Sequence, residues 1–238
     1  MPIDLTWPNC LNVRDLGGLP TADGREIRPR TLIRSDSHGN LTEHGVAAVT
    51  GYGVSRIIDL RREAECDAEP SPFADQPLYR NLPVQDPADP DELHSTLAEI
   101  YIQLIDRRPE LYAAAATAIT EAPPGGVVVH CAGGKDRTGI VVAMVLTVAG
   151  VAPDAVAADY AVTEERLRET NERYLAGVTD EARRELIRRL QATSPETMLR
   201  TLDHVQTEYG GVAAYLTKGG FDAAGQEALR RRLTRLTA

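Results

Sequence analysis

The run Val127 to His130, β-branched at every position before the histidine, constrains the fold of this 238-residue chain more than any other segment. It follows the break Pro123-Pro124-Gly125-Gly126 and precedes, after a glycine-containing loop, an apolar helical pattern over 140–149. A short β-branched run between such breaks is typical of a strand buried on both faces of a parallel sheet. The order of strand, loop and helix therefore predicts an α/β fold around this strand.

The rest of the chain alternates strand and helix patterns up to residue 151 and is helical beyond it. The predicted strands are 31–34, 54–60 and 78–84; the predicted helices are 43–50, 92–105, 110–121, 154–163, 164–176 and 180–191, then one opened by Ser194-Pro195 that runs to Tyr209, and two short ones. We expect a single domain, with an irregular segment 1–30 that holds at most a short hairpin at 22–25, an α/β core 31–151 and a helical extension 152–238.

Charge and hydropathy exclude several classes of protein. Lysine and arginine number 26 against 35 aspartates and glutamates, a net charge of -9, which argues against a nucleic-acid binder. No apolar run approaches the roughly 18 residues that span a bilayer, and the N-terminus shows no secretory leader, so a cytoplasmic location is expected. The three cysteines are scattered and the histidines lack ligand spacing, so we expect reduced thiols and no metal or other cofactor.

The loop between strand and helix, residues 130–138, combines a thiol with groups that bind anions; we call it the cysteine loop. Gly133 and Gly134 allow positive φ, so that backbone N–H groups and the N-terminus of the following helix converge on one anion. The same dipole and the cations Lys135 and Arg137 favour the thiolate of Cys131, which is a nucleophile. Arg137 can hold two oxygens of a phosphoryl group with its planar fork.

Two further residues, His130 and Thr138, are predicted to support the cysteine loop. His130 can fix the loop through a backbone hydrogen bond, and the Thr138 hydroxyl can donate to the Cys131 thiolate.

The run His-Cys-Ala-Gly-Gly-Lys-Asp-Arg-Thr-Gly at 130–139 resembles the C-x5-R signature of the protein tyrosine phosphatase superfamily, in particular its bacterial tyrosine and lipid phosphatase branch. Segments 12–18, 32–36, 58–65 and 159–160 resemble other recurrent segments of that branch in the same order. The resemblance covers most of the chain.

The resemblance implies a mostly parallel sheet with helices on both faces and metal-free hydrolysis of phosphomonoesters in two steps. Cys131 would attack phosphorus to form a cysteinyl phosphate, which water then hydrolyses. The implied phosphate contacts are Ala132, Gly133, Gly134, Lys135, Asp136 and Arg137, of which Lys135 is associated with acidic or inositol phosphate substrates. Phosphotyrosine, phosphoserine or phosphothreonine proteins and phosphoinositides are all possible substrates.

The general acid has three candidates in this resemblance. Asp86, which follows Leu82-Pro83, ranks first; Asp136 inside the loop ranks second; and Asp59 ranks third, because it more often organises the loop from below. A lid over 86–97 is a conjecture from proline and charge content.

Several alternatives stay open. A phosphate-recognition module without catalysis would keep Lys135 and Arg137, and a sulfur transferase would also use a cysteine at a strand-to-helix loop. Arg14, Asp15, Arg34 and Asp36 fit either a buried polar network or substrate contacts. An accessible, low-pKa Cys131 would also be sensitive to peroxide.

Overall fold

A computed structural model describes residues 2–86 and 96–237. The strands are β1 (Ile3–Asp4), β2 (Arg14–Asp15), β3 (Arg25–Ile27), β4 (Leu32–Ser35), β5 (Val54–Asp59), β6 (Tyr79–Asn81), β7 (Gly126–His130) and β8 (Thr234–Leu236). The helices are α1 (Glu43–Gly51), α2 (Glu63–Ala68), α3 (Leu97–Arg107), α4 (Pro109–Thr120), α5 (Asp136–Val148), α6 (Pro153–Ala176), α7 (Glu181–Gln191), α8 (Pro195–Tyr209), α9 (Val212–Lys218) and α10 (Ala223–Leu233). None of the described helices is long and apolar enough to cross a bilayer.

The main sheet has six strands in the order β1-β2-β4-β7-β5-β6. Strands β4, β7, β5 and β6 run parallel, while β1 and β2 add an antiparallel edge. The β-branched strand β7 lies in the middle and is buried along its whole length, as predicted. The mostly parallel α/β fold is therefore confirmed.

Alternate residues of β7 enter two hydrophobic cores. Val127 and Val129 pack with side chains of α3 to α6 and α8 to α10, whereas Val128 packs with Val49 of α1, Trp7 and Phe73. Helices thus cover both faces of the sheet, as expected, but most of them lie on one face. The period of two along a strand produces this division.

The boundaries of three elements differ from the prediction, each for its own physical reason. Helix α6 is continuous instead of two helices, because no glycine or proline interrupts its interior. Helix α5 begins at Asp136 instead of 140, since the end of the cysteine loop forms its first turn. Strand β6 is shorter than 78–84 because Pro83 has no N–H for a ladder. The start predicted for the helix at 92 lies outside the described residues.

The N-terminal segment is more regular than expected. Besides the tight turn at Gly24, residues 1–30 contribute β1, β2 and β3. Farther along the chain, the short helix α2 was not predicted. Strand β3 pairs antiparallel with β8 near the other end of the chain. Two- and three-residue strands carry too little periodicity to be recognised, and their partners are distant in sequence.

Candidate active site

The cysteine loop lies at the carboxyl end of β7, between β4 and β5, which run parallel to it on either side. Cys131 follows β7 directly, and only 2% of its surface is exposed. Helix α5 begins at Asp136, so its N-terminal N–H groups and positive dipole end face the loop. The carboxyl ends of the strands are where open α/β sheets bind ligands.

Gly134 gives the loop its tight turn. Its φ is +62°, and a Cβ at this position would lie 2.4 Å from the carbonyl oxygen of Ser35. The expectation that Gly133 shares this conformation is wrong, because Gly133 has no positive φ and a Cβ there would meet nothing closer than 3.6 Å. Only one of the two glycines is therefore required by the backbone.

Hydrogen bonds hold the carbonyl groups of Gly133 and Gly134 on one side of the cysteine loop. Asn12 Nδ2 donates to Gly133 O at 2.9 Å and to Gly134 O at 3.1 Å, and Arg34 Nη2 donates to Gly134 O at 2.7 Å. Carbonyl and N–H groups of a trans peptide point in opposite directions. Anchoring these oxygens therefore directs the N–H groups of the same peptide units to the other side of the loop.

Asp159 of α6 stabilises these donors from below. Its two carboxylate oxygens accept hydrogen bonds from Arg14 Nε and Arg34 Nη1, both at 2.7 Å, and Arg14 Nη1 donates to Asn12 Oδ1 at 2.7 Å. Burial opposes ionisation of Asp159, but the two guanidinium groups keep its pKa below the usual range. The alternatives for Arg14 and Arg34 resolve to a buried network that supports the loop.

Asp15 and Asp36 also serve this framework. Asp36 accepts hydrogen bonds from the backbone N–H groups of Leu11 and Asn12, and Asp15 accepts from Tyr52 and from the N–H of Arg30.

Arg137 is oriented by a carboxylate on another helix. Its Nη1 and Nη2 atoms donate to Glu65 Oε2 and Oε1 of α2 at 2.5 and 2.8 Å. Burial raises the pKa of Glu65, but these bonds and the charge of Arg137 lower it to about 2 overall. No role was predicted for Glu65. The sequence signal for it is its position shortly after the end of β5.

His130 and Asp59 lie beneath the loop. Asp59 Oδ2 accepts a hydrogen bond from Arg61 Nη2 at 2.7 Å and another from the Tyr79 hydroxyl at 2.9 Å, and lies 3.5 Å from His130 Nε2. Burial opposes ionisation, yet the neighbouring cationic groups lower the pKa of Asp59 to about 2. Burial lowers the pKa of His130, whose Nδ1 is 3.2 Å from the carbonyl oxygen of Cys131.

The side chains of Thr138 and Lys135 make contacts other than those predicted. The Thr138 hydroxyl is buried and has no hydrogen-bond partner among the described residues, so it does not donate to Cys131 here. Lys135 Nζ donates to Leu190 O of α7 at 2.6 Å and pairs with Asp136 Oδ1 at 3.0 Å. The lysine amino group is therefore tied to α7.

The three candidate acids occupy different environments. Asp86 is the last described residue before 96; its side chain is 38% exposed and pairs with Arg108 at 2.8 Å. Asp136 lies in the first turn of α5, is 41% exposed, and accepts a hydrogen bond from the Tyr101 hydroxyl at 2.6 Å. Asp59 is fully buried.

Fold and site together define an α/β protein in which a buried thiol, Cys131, begins the loop between the central strand and α5, with Arg137 in the first turn of that helix. Residues 5–235 match the family model described as the tyrosine phosphatase family, and the chain belongs to that family. It is 28% identical to a protein of Cupriavidus necator whose name assigns it to the tyrosine-protein phosphatases, over 73% of this chain and 67% of that protein.

Two further relatives are more distant or shorter in overlap. A tyrosine-protein phosphatase of Nostoc commune is 27% identical over 60% of this chain and 52% of its own length. The triple specificity protein phosphatase PtpB of Mycobacterium tuberculosis is 27% identical over 64% of this chain and 66% of its own length. The matched region thus spans between about half and two thirds of these relatives.

Proposed function

We propose that this protein hydrolyses phosphomonoesters through a cysteinyl phosphate on Cys131, with phosphotyrosine proteins as its main substrates. Phosphoserine, phosphothreonine and phosphoinositides are further substrates in this proposal; the name of the mycobacterial relative gives that protein a triple specificity. The observation that carries the proposal is the guanidinium of Arg137, held by Glu65 at the start of the helix that follows Cys131.

Arg137 has donors to spare for a phosphoryl group. A guanidinium offers five N–H donors, and Glu65 takes one from each Nη atom. The remaining donors and the N–H groups of residues 132–136 would bind the equatorial oxygens while Cys131 Sγ attacks phosphorus from below. Because the arginine is already oriented, little reorganisation accompanies charge development in the transition state.

The leaving oxygen needs a proton, and Asp86 remains our first candidate for supplying it. It follows the Leu82-Pro83 segment after β6 and its carboxylate pairs with Arg108, whereas Asp136 Oδ1 accepts from Tyr101 and pairs with Lys135. Asp136 is the alternative acid. Asp59 is enclosed beneath the loop and bonded to Arg61, so we assign it, with His130 and Thr138, a supporting role.

The first experiment is steady-state hydrolysis of para-nitrophenyl phosphate in EDTA. We expect wild-type turnover that vanadate inhibits, none from Cys131→Ser, and a reduction of about 10²-fold or more in Asp86→Ala, the contribution typical of a general acid. A larger loss in Asp136→Asn than in Asp86→Ala would transfer the acid role to Asp136.

Two other outcomes would replace the proposal. Vanadate binding without any turnover by folded wild type would indicate a phosphate-recognition module. Sulfur transfer from thiosulfate, with no phosphatase activity, would indicate a sulfur transferase.

A further inference from the structure

Two arginines on neighbouring strands converge on one backbone oxygen, away from the cysteine loop. Arg56 of β5 and Arg80 of β6 each donate from Nη1 to the carbonyl oxygen of Pro77, at 3.0 and 3.2 Å. Arg56 Nη1 also reaches Leu78 O, and Arg80 Nη1 reaches Tyr79 O. The backbone thus holds two like charges next to each other.

No carboxylate neutralises this pair within the described part of the chain. Neither arginine forms an ion pair there, although the protein carries a net charge of -9. Burial lowers the pKa of Arg56, and the positive charge of Arg80 lowers it further. The two guanidinium charges thus lack a carboxylate contact among the described residues, in contrast to Arg14, Arg34, Arg61 and Arg137, which all contact carboxylates.

Each guanidinium keeps an unused edge. Every hydrogen bond that Arg56 and Arg80 make to described residues uses Nη1, so Nε and Nη2 of both side chains are available. This edge of a guanidinium is the fork that binds two oxygens of one phosphate or carboxylate. The carbonyl bonds to Nη1 reduce the side-chain freedom that binding would otherwise cost.

Both arginines line a groove of about 590 Å³ between the β5-β6 edge of the sheet and α4. Its other lining residues include Thr117 and three alanines of α4, together with Gly219 and Gly220 of the turn after α9. Glu110 and Glu121 also line it, but neither lies within ion-pair distance of the arginines. An anion therefore has room at the arginine end of the groove.

We propose that Arg56 and Arg80 form a second phosphate-binding site, separate from the cysteine loop. Two guanidinium groups match the charge of a phosphate dianion and its several acceptor oxygens. Arg56 lies three residues before Asp59 on the same strand, so the distance from this site to the loop is fixed by the sheet. The phosphate would come from a second phosphorylated residue of the substrate or from free orthophosphate.

Equilibrium dialysis with radiolabelled orthophosphate tests the site without any use of catalysis. Wild type is expected to bind two phosphates per chain, and Arg56→Gln/Arg80→Gln only one, with binding at the second site weakened at least about tenfold. Arg168→Gln/Arg173→Gln, which removes the same charge from exposed positions on α6, should retain both. Thermal melts of each variant confirm that it is folded.

Arg137→Ala separates this inference from the proposed function on which its kinetic arm rests. It should lose the phosphate of the cysteine loop and keep the one at Arg56 and Arg80. Binding in wild type that Arg56→Gln/Arg80→Gln leaves unchanged would overturn the second site, whatever the enzyme assay shows. Failure of the phosphatase proposal would appear instead as absent turnover of para-nitrophenyl phosphate.

Kinetics then distinguish the two sources of phosphate. If the site binds a second phosphate of the substrate, Arg56→Gln/Arg80→Gln lowers kcat/KM for a doubly phosphorylated peptide at least about tenfold relative to its singly phosphorylated form. Turnover of para-nitrophenyl phosphate stays the same. If wild type has the same kcat/KM for the doubly and the singly phosphorylated peptide, and dialysis still shows the second site, the ligand of that site is free orthophosphate.

Discussion

Glu65 accepts hydrogen bonds from both Nη atoms of Arg137, at 2.5 and 2.8 Å, and so joins α2 to the first turn of α5. The pair fixes the plane of the guanidinium that faces the cysteine loop. In the proposed reaction this orientation is made before substrate arrives.

We therefore expect Glu65→Gln to lower kcat about 10- to 100-fold and to raise KM by a smaller factor. The reason is that the glutamine amide oxygen can accept only one of the two hydrogen bonds from Arg137. Glu63→Gln is the matched control, since it is exposed on the same short helix. Steady-state kinetics on both variants provide the comparison. Equal activities of the two variants would contradict a positioning role for Glu65.

Asp159→Asn should destabilise the fold strongly, because it leaves Arg14 and Arg34 buried without their carboxylate. Removing one partner of a buried ion pair costs about 3–5 kcal/mol. Urea unfolding gives the free energy of unfolding, with Glu169→Gln on the exposed face of α6 as the control. A loss no larger than that of the control would refute the view that this network supports the loop.

The two glycines of the loop should respond differently to alanine. Gly134→Ala adds a Cβ against Ser35 O at a φ of +62°, a strained conformation that costs about 1–3 kcal/mol before any clash is counted. We expect it to abolish vanadate binding and lower the melting temperature, whereas Gly133→Ala should leave the melting temperature near that of wild type. Similar melting temperatures for the two variants would show that the loop can relax around the added methyl group.

His38 should make the fold sensitive to acid. It is fully buried, stacks on His130 with ring centroids 4.5 Å apart, and neither ring nitrogen has a hydrogen-bond partner among the described residues. Burial, and then the neighbouring His130, hold its pKa well below 6.5. The unfolded chain therefore binds a proton below about pH 6.5 that the folded protein does not, so stability falls as pH decreases.

His38→Phe removes the group that binds this proton in the unfolded chain, and an aromatic ring at this position can pack against Trp7 and Phe73. We expect the free energy of unfolding to fall less steeply from pH 6.5 to 5, by up to about 1.4 kcal/mol per pH unit. The exposed His44→Gln should keep the wild-type slope. An unchanged slope in His38→Phe would locate the acid sensitivity elsewhere, with His130 as the next candidate.

The sequence by itself determined the central strand, the residues that make up the cysteine loop and the class of fold. The run at 127–129 is apolar at every position, and the order Cys131, Gly134, Arg137 lies within one strand-loop-helix unit. Such features depend on hydrogen bonds and periodicities that are local in the chain, so they can be recognised without tertiary information. The same holds for most helix ends, where Thr42 and Ser194 act as caps.

Only the tertiary structure decided which side chains serve the loop. Asn12 and Glu65 come from segments far apart in sequence and contact the loop, and Asp159 holds Arg34, which contacts it too. Lys135 was expected at the phosphate but bonds to α7, and Arg56 and Arg80 converge because β5 and β6 are neighbours. These contacts follow from long-range packing and from competition among hydrogen-bond partners, neither of which leaves a local pattern in the sequence.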